Sequence, residues 1–155
     1  MNQKKAAPDF SMKKRLRHAF PETPREDSIH LLLCVCLTAL SDGKLEGEER
    51  SLVATFCKSI PEFKRYTNEE LGSLIEEAVK VIKPYKDKIA ALHALKAAKS
   101  ARVREKCFIL AMETALVTGH LSDIEITLLE KLQKHLELSD QFVEHTTELM
   151  VLKYR

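Results

Sequence analysis

The fold of this chain is decided by residues 29–40, which read IHLLLCVCLTAL. Apart from His30 and Thr38, every residue in this stretch is apolar. A membrane-spanning helix needs about 20 such residues to cross about 30 Å of hydrocarbon, and this stretch is shorter. The pattern therefore predicts a helix at the centre of a water-excluded protein core.

The composition of the whole chain favours helices. Its 155 residues suffice for one domain, and a chain of this length buries roughly two thirds of the surface that it exposes when unfolded. Only 4 Gly and 5 Pro interrupt it, while Leu, Ala, Lys and Glu recur at helical spacing. We therefore expect an all-α fold, a compact helical bundle without a sheet.

Capping signals locate the helix starts. Thr23, Thr67 and Ser122 each precede a Glu by three residues, which is the spacing of a capping box, and Pro24 would then be the first residue of its helix. Ser139 provides a cap without the box. The bundle is predicted to contain about seven helices, near residues 24–41, 47–59, 68–82, 85–98, 101–117, 123–136 and 140–153.

The N-terminal segment differs in charge from the rest of the chain. Residues 1–25 contain seven Lys and Arg against two acids, whereas the rest contains 18 against 21. Residues 1–22 are predicted to be a weakly ordered basic segment, with at most a short helix around residues 12–20, preceding one helical domain at 23–155. No apolar run with a cleavage site follows the basic residues, so we expect a cytoplasmic protein. Nucleic-acid binding is not expected, although residues 1–20 could make a weak surface contact with anionic lipid.

The four cysteines are predicted to be buried, reduced thiols. They lie in helical, mostly apolar surroundings: Cys34, Cys36, Cys57 and Cys107. A separation of two residues points Cys34 and Cys36 to nearly opposite sides of a helix, so they would not share a metal ion. His30 and Cys34 have a suitable spacing, but two further ligands with matching spacing are absent from the sequence.

An internal repeat relates the two halves of the chain. Residues 39–52 (ALSDGKLEGEERSL) align with residues 115–128 (ALVTGHLSDIEITL) at an offset of 76 residues. In each copy an apolar helix is expected to end at a glycine, Gly43 or Gly119, before the next helix starts. We call the turn around Gly43 the first corner and the turn around Gly119 the second corner, and we predict a duplicated helix-loop-helix unit.

The first corner and the helix start after it are unusually acidic, because Asp42, Glu46, Glu48 and Glu49 fall within eight residues. A helix N-terminus favours negative charge, and this alone could account for the acids. A bound divalent cation such as Ca²⁺, Mg²⁺ or Zn²⁺ is the sharper alternative. A high-affinity EF-hand loop is not expected, since its first and third positions would be Thr38 and Leu40.

The repeated pattern, SDGKLEGEE in the first copy and TGHLSDIE in the second, resembles the twin signature of TerB-like tellurite-resistance proteins. The resemblance covers about residues 28–153 and implies a compact helical bundle. It also implies an accessory role in resistance to tellurite and other chemical stress, through acidic, cation-binding surfaces and partner proteins, without catalysis. The family's acidic positions fall on Asp42, Glu49 and Glu125, whereas Thr118 departs from the signature and His120 lies beside it.

The sequence therefore predicts a metal site of Asp42, Glu46, Glu49 and Glu125 that binds a divalent cation or a basic partner surface. No phosphate-binding loop, metalloprotease motif or nucleophile elbow occurs, and we do not expect an enzyme. The alternative is a helical protein-protein interaction module without a metal site, in which the acids only steer the partner. A protein partner is expected in either case, and a homodimer is one form that it could take.

Overall fold

The computed structural model describes residues 11–12, 24–41, 48–87, 89–95, 98, 100–117 and 121–155, with the side chains of Glu48 and Glu49 left out. These residues form six α-helices and two short 3₁₀ helices, and none of them is in a strand. The all-α prediction is confirmed. The helices are α1 (Arg25–Ala39), α2 (Glu48–Ser59), α3 (Asn68–Ile82), α4 (Ala101–Val117), α5 (Asp123–His135) and α6 (Asp140–Tyr154), with 3₁₀ helices at Pro61–Phe63 and Ala90–Ala94.

Helix α1 is the centre of the bundle, as its apolar sequence predicted. Every residue from His30 to Thr38 is buried, and the helix packs against α2, α3 and α4. The hydroxyl of Thr38 donates to the carbonyl oxygen of Cys34 at 2.9 Å, so this polar side chain is satisfied without water. None of the helices in the described residues combines the length and apolar character that a bilayer crossing requires.

Helix α4 joins α1 to the C-terminal part of the chain. Its buried side chains include Val103, Cys107, Leu110, Ala111 and Thr114. On its other side α4 holds α6, through the edge-to-face pair of Phe108 and Phe142 at 6.3 Å between ring centroids. Near the C-terminal ends of the two helices Glu113 accepts hydrogen bonds from Lys153 and Tyr154, so α4 and α6 run in the same direction.

The predicted caps at three helix starts are confirmed. Thr67 Oγ1 accepts from the backbone N–H of Glu70 at 3.1 Å, and the Glu70 carboxylate accepts from the Thr67 N–H at 2.7 Å. Ser122 and Glu125 repeat the arrangement, and Ser139 accepts from the Phe142 N–H at 3.2 Å. At α1 the prediction was wrong by one residue: Pro24 is the flanking cap and the helix begins at Arg25. Thr23 lies outside the described residues.

The predicted helix at residues 85–98 is not an α-helix. Its described residues contain only the 3₁₀ helix Ala90–Ala94, which leaves six α-helices in the described part of the chain instead of seven. Asp87 Oδ1 accepts from the Ile89 N–H at 2.9 Å, a local turn that competes with helical hydrogen bonds. A ring nitrogen of His135 binds the Leu95 carbonyl oxygen at 2.8 Å and ties the extended end of this segment to α5.

Candidate functional site

A pocket of about 400 Å³ opens at the end of the bundle where α1 finishes and α5 begins. It has contributions from three parts of the chain: the residue after α1, the loop after α3 and the first turns of α5. Its lining residues are Ser41, Lys86, Asp87, Ile89, Asp123, Ile124, Thr127 and Leu128. We call this the corner pocket.

The corner pocket is lined by residues that flank the two corners of the repeat in the sequence. Ser41 is the last described residue before the first corner, and Asp123 begins α5 shortly after the second corner. Both line the same pocket, so the chain enters the first corner and leaves the second at one end of the bundle. The corners themselves, including Gly43 and Gly119, lie outside the described residues. The structure therefore does not test the predicted duplication.

The pocket has an apolar wall and a polar rim. Leu128 is buried at its base, whereas Ile124 stays 53% exposed beside it. The exposed side chains of Asp87 and Asp123 contribute two carboxylates, against one ammonium group from Lys86. Such a lining suits a ligand that combines an apolar part with positive charge.

The side chain of Glu125, the predicted metal ligand from the second repeat, is hydrogen-bonded within the capping box at the start of α5. Its side chain is buried, with the residue 4% exposed. Its Oε2 accepts from the Ser122 N–H at 2.8 Å and from the Ser122 hydroxyl at 2.9 Å. The Ser122 hydroxyl oxygen in turn accepts from the Glu125 N–H at 3.2 Å. A cation on this carboxylate would compete with the capping box, which typically contributes about 1 kcal/mol.

The other predicted ligands are not described by the structure. Asp42 and Glu46 lie in the first corner, and Glu49 is described only through its backbone in α2. Thr118 and His120 also lie outside the described residues. Among the side chains that are described, no three His, Cys, Asp or Glu residues are grouped so that they could share a metal ion. The four-carboxylate metal site therefore stays a prediction.

The four cysteines are buried and free, which confirms the prediction of reduced thiols. Cys34 and Cys36 point to different neighbours: Cys34 is hydrogen-bonded to Cys107 of α4, and Cys36 lies near Cys57 of α2. The hydrogen bond that the Cys34 thiol donates to Cys107, and then burial, raise the pKa of Cys34 well above its usual range, and burial does the same for Cys36. Burial raises the pKa of Cys57 to about 12. Since only the thiolate is nucleophilic, these thiols are chemically inert at neutral pH.

His30 takes part in helix packing. Its Nδ1 lies 2.8 Å from the carbonyl oxygen of Glu26 one turn earlier, so Nδ1 carries the proton and donates. The neighbouring Cys34 is engaged with Cys107. The side chains of His30 and Cys34 thus pack within the core of the bundle.

Sequence reasoning missed the loop residues of the corner pocket. Lys86, Asp87 and Ile89 were assigned to a helix, and Asp123 was treated only as part of a cap. The available signal was Pro84 followed by Asp87, because proline and a local aspartate turn both interrupt helices.

Comparison of the chain with protein-family models, curated proteins and solved structures finds no match in any of the three.

Proposed function

We propose that this protein is a non-catalytic binding protein that receives a basic side chain of a partner protein in the corner pocket. The observation that carries this proposal is the lining of the pocket, in which Asp87 and Asp123 stand beside the apolar side chains of Ile89, Ile124 and Leu128. Lysine and arginine combine an apolar stem with a charged head, so one such side chain would satisfy both parts of the lining. We also propose for this protein the accessory role in resistance to chemical stress that its resemblance to TerB-like proteins implies.

The exposure of isoleucines near the pocket supports a protein as the ligand. Ile124 is 53% exposed and Ile126 is 40% exposed, both in the first turns of α5. Exposed β-branched side chains next to a polar rim are typical of surfaces that a partner covers. The acids of the first corner would add negative charge at the same end and accelerate the encounter with a basic partner.

The proposal can be tested with small probes of defined chemistry. Amide signals of the ¹⁵N-labelled full chain are followed during titration with N-acetyl-arginine amide and, separately, with N-acetyl-leucine amide. We expect the arginine probe to shift signals of Asp87, Ile89 and residues 123–128, and the leucine probe to shift them much less. The double variant Asp87→Asn with Asp123→Asn should abolish the arginine response, whereas Glu130→Gln, an exposed acid on the same helix, should preserve it.

A divalent cation is the second candidate ligand, and the acidic sequence of the first corner favours it. Thermal unfolding is measured with Ca²⁺, Mg²⁺, Mn²⁺ and Zn²⁺. A cation that binds only the folded chain stabilises it by about 2.7 kcal/mol at a concentration of 100 times its dissociation constant. If an ion raises the melting temperature and Glu46→Gln with Glu49→Gln removes the rise, the cation is the ligand. If the arginine probe also leaves the pocket signals unchanged, the basic-partner proposal is wrong.

A further inference from the structure

The outer face of the C-terminal helix α6 carries apolar side chains that no other part of the described chain covers. Leu149 is 61% exposed, Val151 44% and Leu152 77%, whereas only Thr146 and Met150 of this helix are buried. An exposed leucine alone needs no explanation, but Leu149 and Leu152 are three residues apart on one side of the helix and together form a patch.

Helix α6 is not free to rotate this patch into the core. At its start Phe142 packs edge-to-face on Phe108, and near its end Lys153 and Tyr154 both bind the Glu113 carboxylate. The side chain of Glu113 is only 15% exposed, so the anchor lies under the helix. These contacts fix which side of α6 faces water.

Acidic side chains run along the same exposed side. Asp140, Glu144 and Glu148 recur every four residues and are exposed, so they form a stripe along the helix that ends beside Leu149 and Leu152. We call the three acids together with Leu149 and Leu152 the α6 outer face. A ligand for this face needs apolar side chains and positive charge, and it must lack acids.

The N-terminal segment of this chain has that composition. Within residues 12–20, MKKRLRHAF, the apolar residues Met12, Leu16, Ala19 and Phe20 recur at helical spacing. The remaining positions hold four Lys and Arg, one His and no acid. Nine residues in a helix would extend about 14 Å, and the twelve residue steps from Asp140 to Leu152 extend about 18 Å, so the lengths match.

Two other occupants fit less well. A second α6 outer face would bring three acids against three acids, and like charges at close range oppose such a contact. An anionic lipid surface would be repelled by the same acidic stripe. We therefore propose that the α6 outer face binds the basic segment of residues 12–20 of the same chain.

Limited trypsin digestion of the full chain tests the contact, because trypsin cleaves after Arg15 and Arg17. Docking should slow cleavage at these two sites by at least about tenfold relative to a synthetic peptide of residues 1–23, which corresponds to about 1.4 kcal/mol. The variant Leu149→Ser with Leu152→Ser should restore the rate of the peptide. Leu52→Ser, at a residue on α2 with the same 61% exposure as Leu149, is the matched control and should leave the protection intact.

A charge exchange separates docking from other causes of protection. Glu144→Lys with Glu148→Lys should accelerate cleavage after Arg15 and Arg17, and adding Lys13→Glu with Lys14→Glu should slow it again relative to a peptide of residues 1–23 with the same two Glu substitutions. Protection that does not change with protein concentration supports docking within one chain, whereas protection that increases with concentration would show that a second copy supplies the segment and would overturn the proposal. Cleavage as fast as in the peptide, or protection that survives both sets of α6 variants, would overturn the proposal.

Discussion

The pair of Lys106 and Glu62 offers the sharpest test of the packing, because it joins α4 to the 3₁₀ helix between α2 and α3. Lys106 Nζ binds Glu62 Oε1, and the Glu62 side chain is only 7% exposed. The other oxygen, Oε2, is buried and has no hydrogen-bond partner. Lys106→Met would therefore leave a buried carboxylate without the cation that pairs with it among the described residues.

The expected cost follows from the burial of the two groups. Removing one partner of a fully buried ion pair typically destabilises a protein by about 3–5 kcal/mol. Because the Lys106 side chain is 27% exposed, water can partly replace it, and we expect a loss of about 2–3 kcal/mol for Lys106→Met. The double variant Glu62→Met with Lys106→Met removes both charges and should lie within about 1 kcal/mol of the wild-type protein.

Urea denaturation followed by circular dichroism at 25 °C measures these free energies of unfolding. The matched control is Arg50→Met, since the pair of Arg50 and Glu76 is 3.4 Å long with side chains 45% and 57% exposed. This control should change the stability by less than about 0.5 kcal/mol. If Lys106→Met costs no more than the control, or if the double variant is as unstable as the single one, the argument from carboxylate burial fails.

Three further outcomes are expected. In the folded protein the four thiols should react with a disulfide reagent at pH 8 far more slowly than in guanidinium chloride, because all four are buried. Since burial raises the pKa of Cys57 from 9.0 to about 12, its contribution to stability is complete below pH 9 and is lost as the pH rises toward 12, by up to about 1.4 kcal/mol per pH unit. Cys57→Ala should remove that part of the pH dependence in urea titrations, and an unchanged slope would contradict it. Ser122→Ala should cost about 1–2 kcal/mol in the same assay, more than Ser139→Ala, because Ser122 also binds the Glu125 carboxylate.

The sequence was sufficient wherever the structure depends on local chemistry. The apolar run before Ala39 predicted a buried helix, and the Thr67 and Ser122 boxes placed two helix starts at the right residue. These features depend on neighbours within four residues, which a sequence displays directly. The segment around Ala90–Ala94 was mispredicted because His135, 40 residues away from Leu95, holds its end in place.

The candidate site was harder to predict for a similar reason. The corner pocket is lined by three segments that are far apart in the sequence, and periodicity within one segment says nothing about which loop lies opposite. Glu125 shows a second difficulty. Its position in the repeat suggested a ligand, and the cap that engages it was visible at the same three-residue spacing. A carboxylate three residues after a serine can cap a helix or bind a metal ion, and the sequence alone does not distinguish these two roles.

The central position of α1 has a consequence for how the protein is made. The ribosome completes α1 at Ala39, but its main packing partner, α4, starts only at Ala101. At about 5–20 residues per second, translation of the intervening residues takes roughly 3–12 s. Throughout that interval the most apolar helix of the chain has no α4 to cover it, so the nascent polypeptide presents a natural binding site for chaperones.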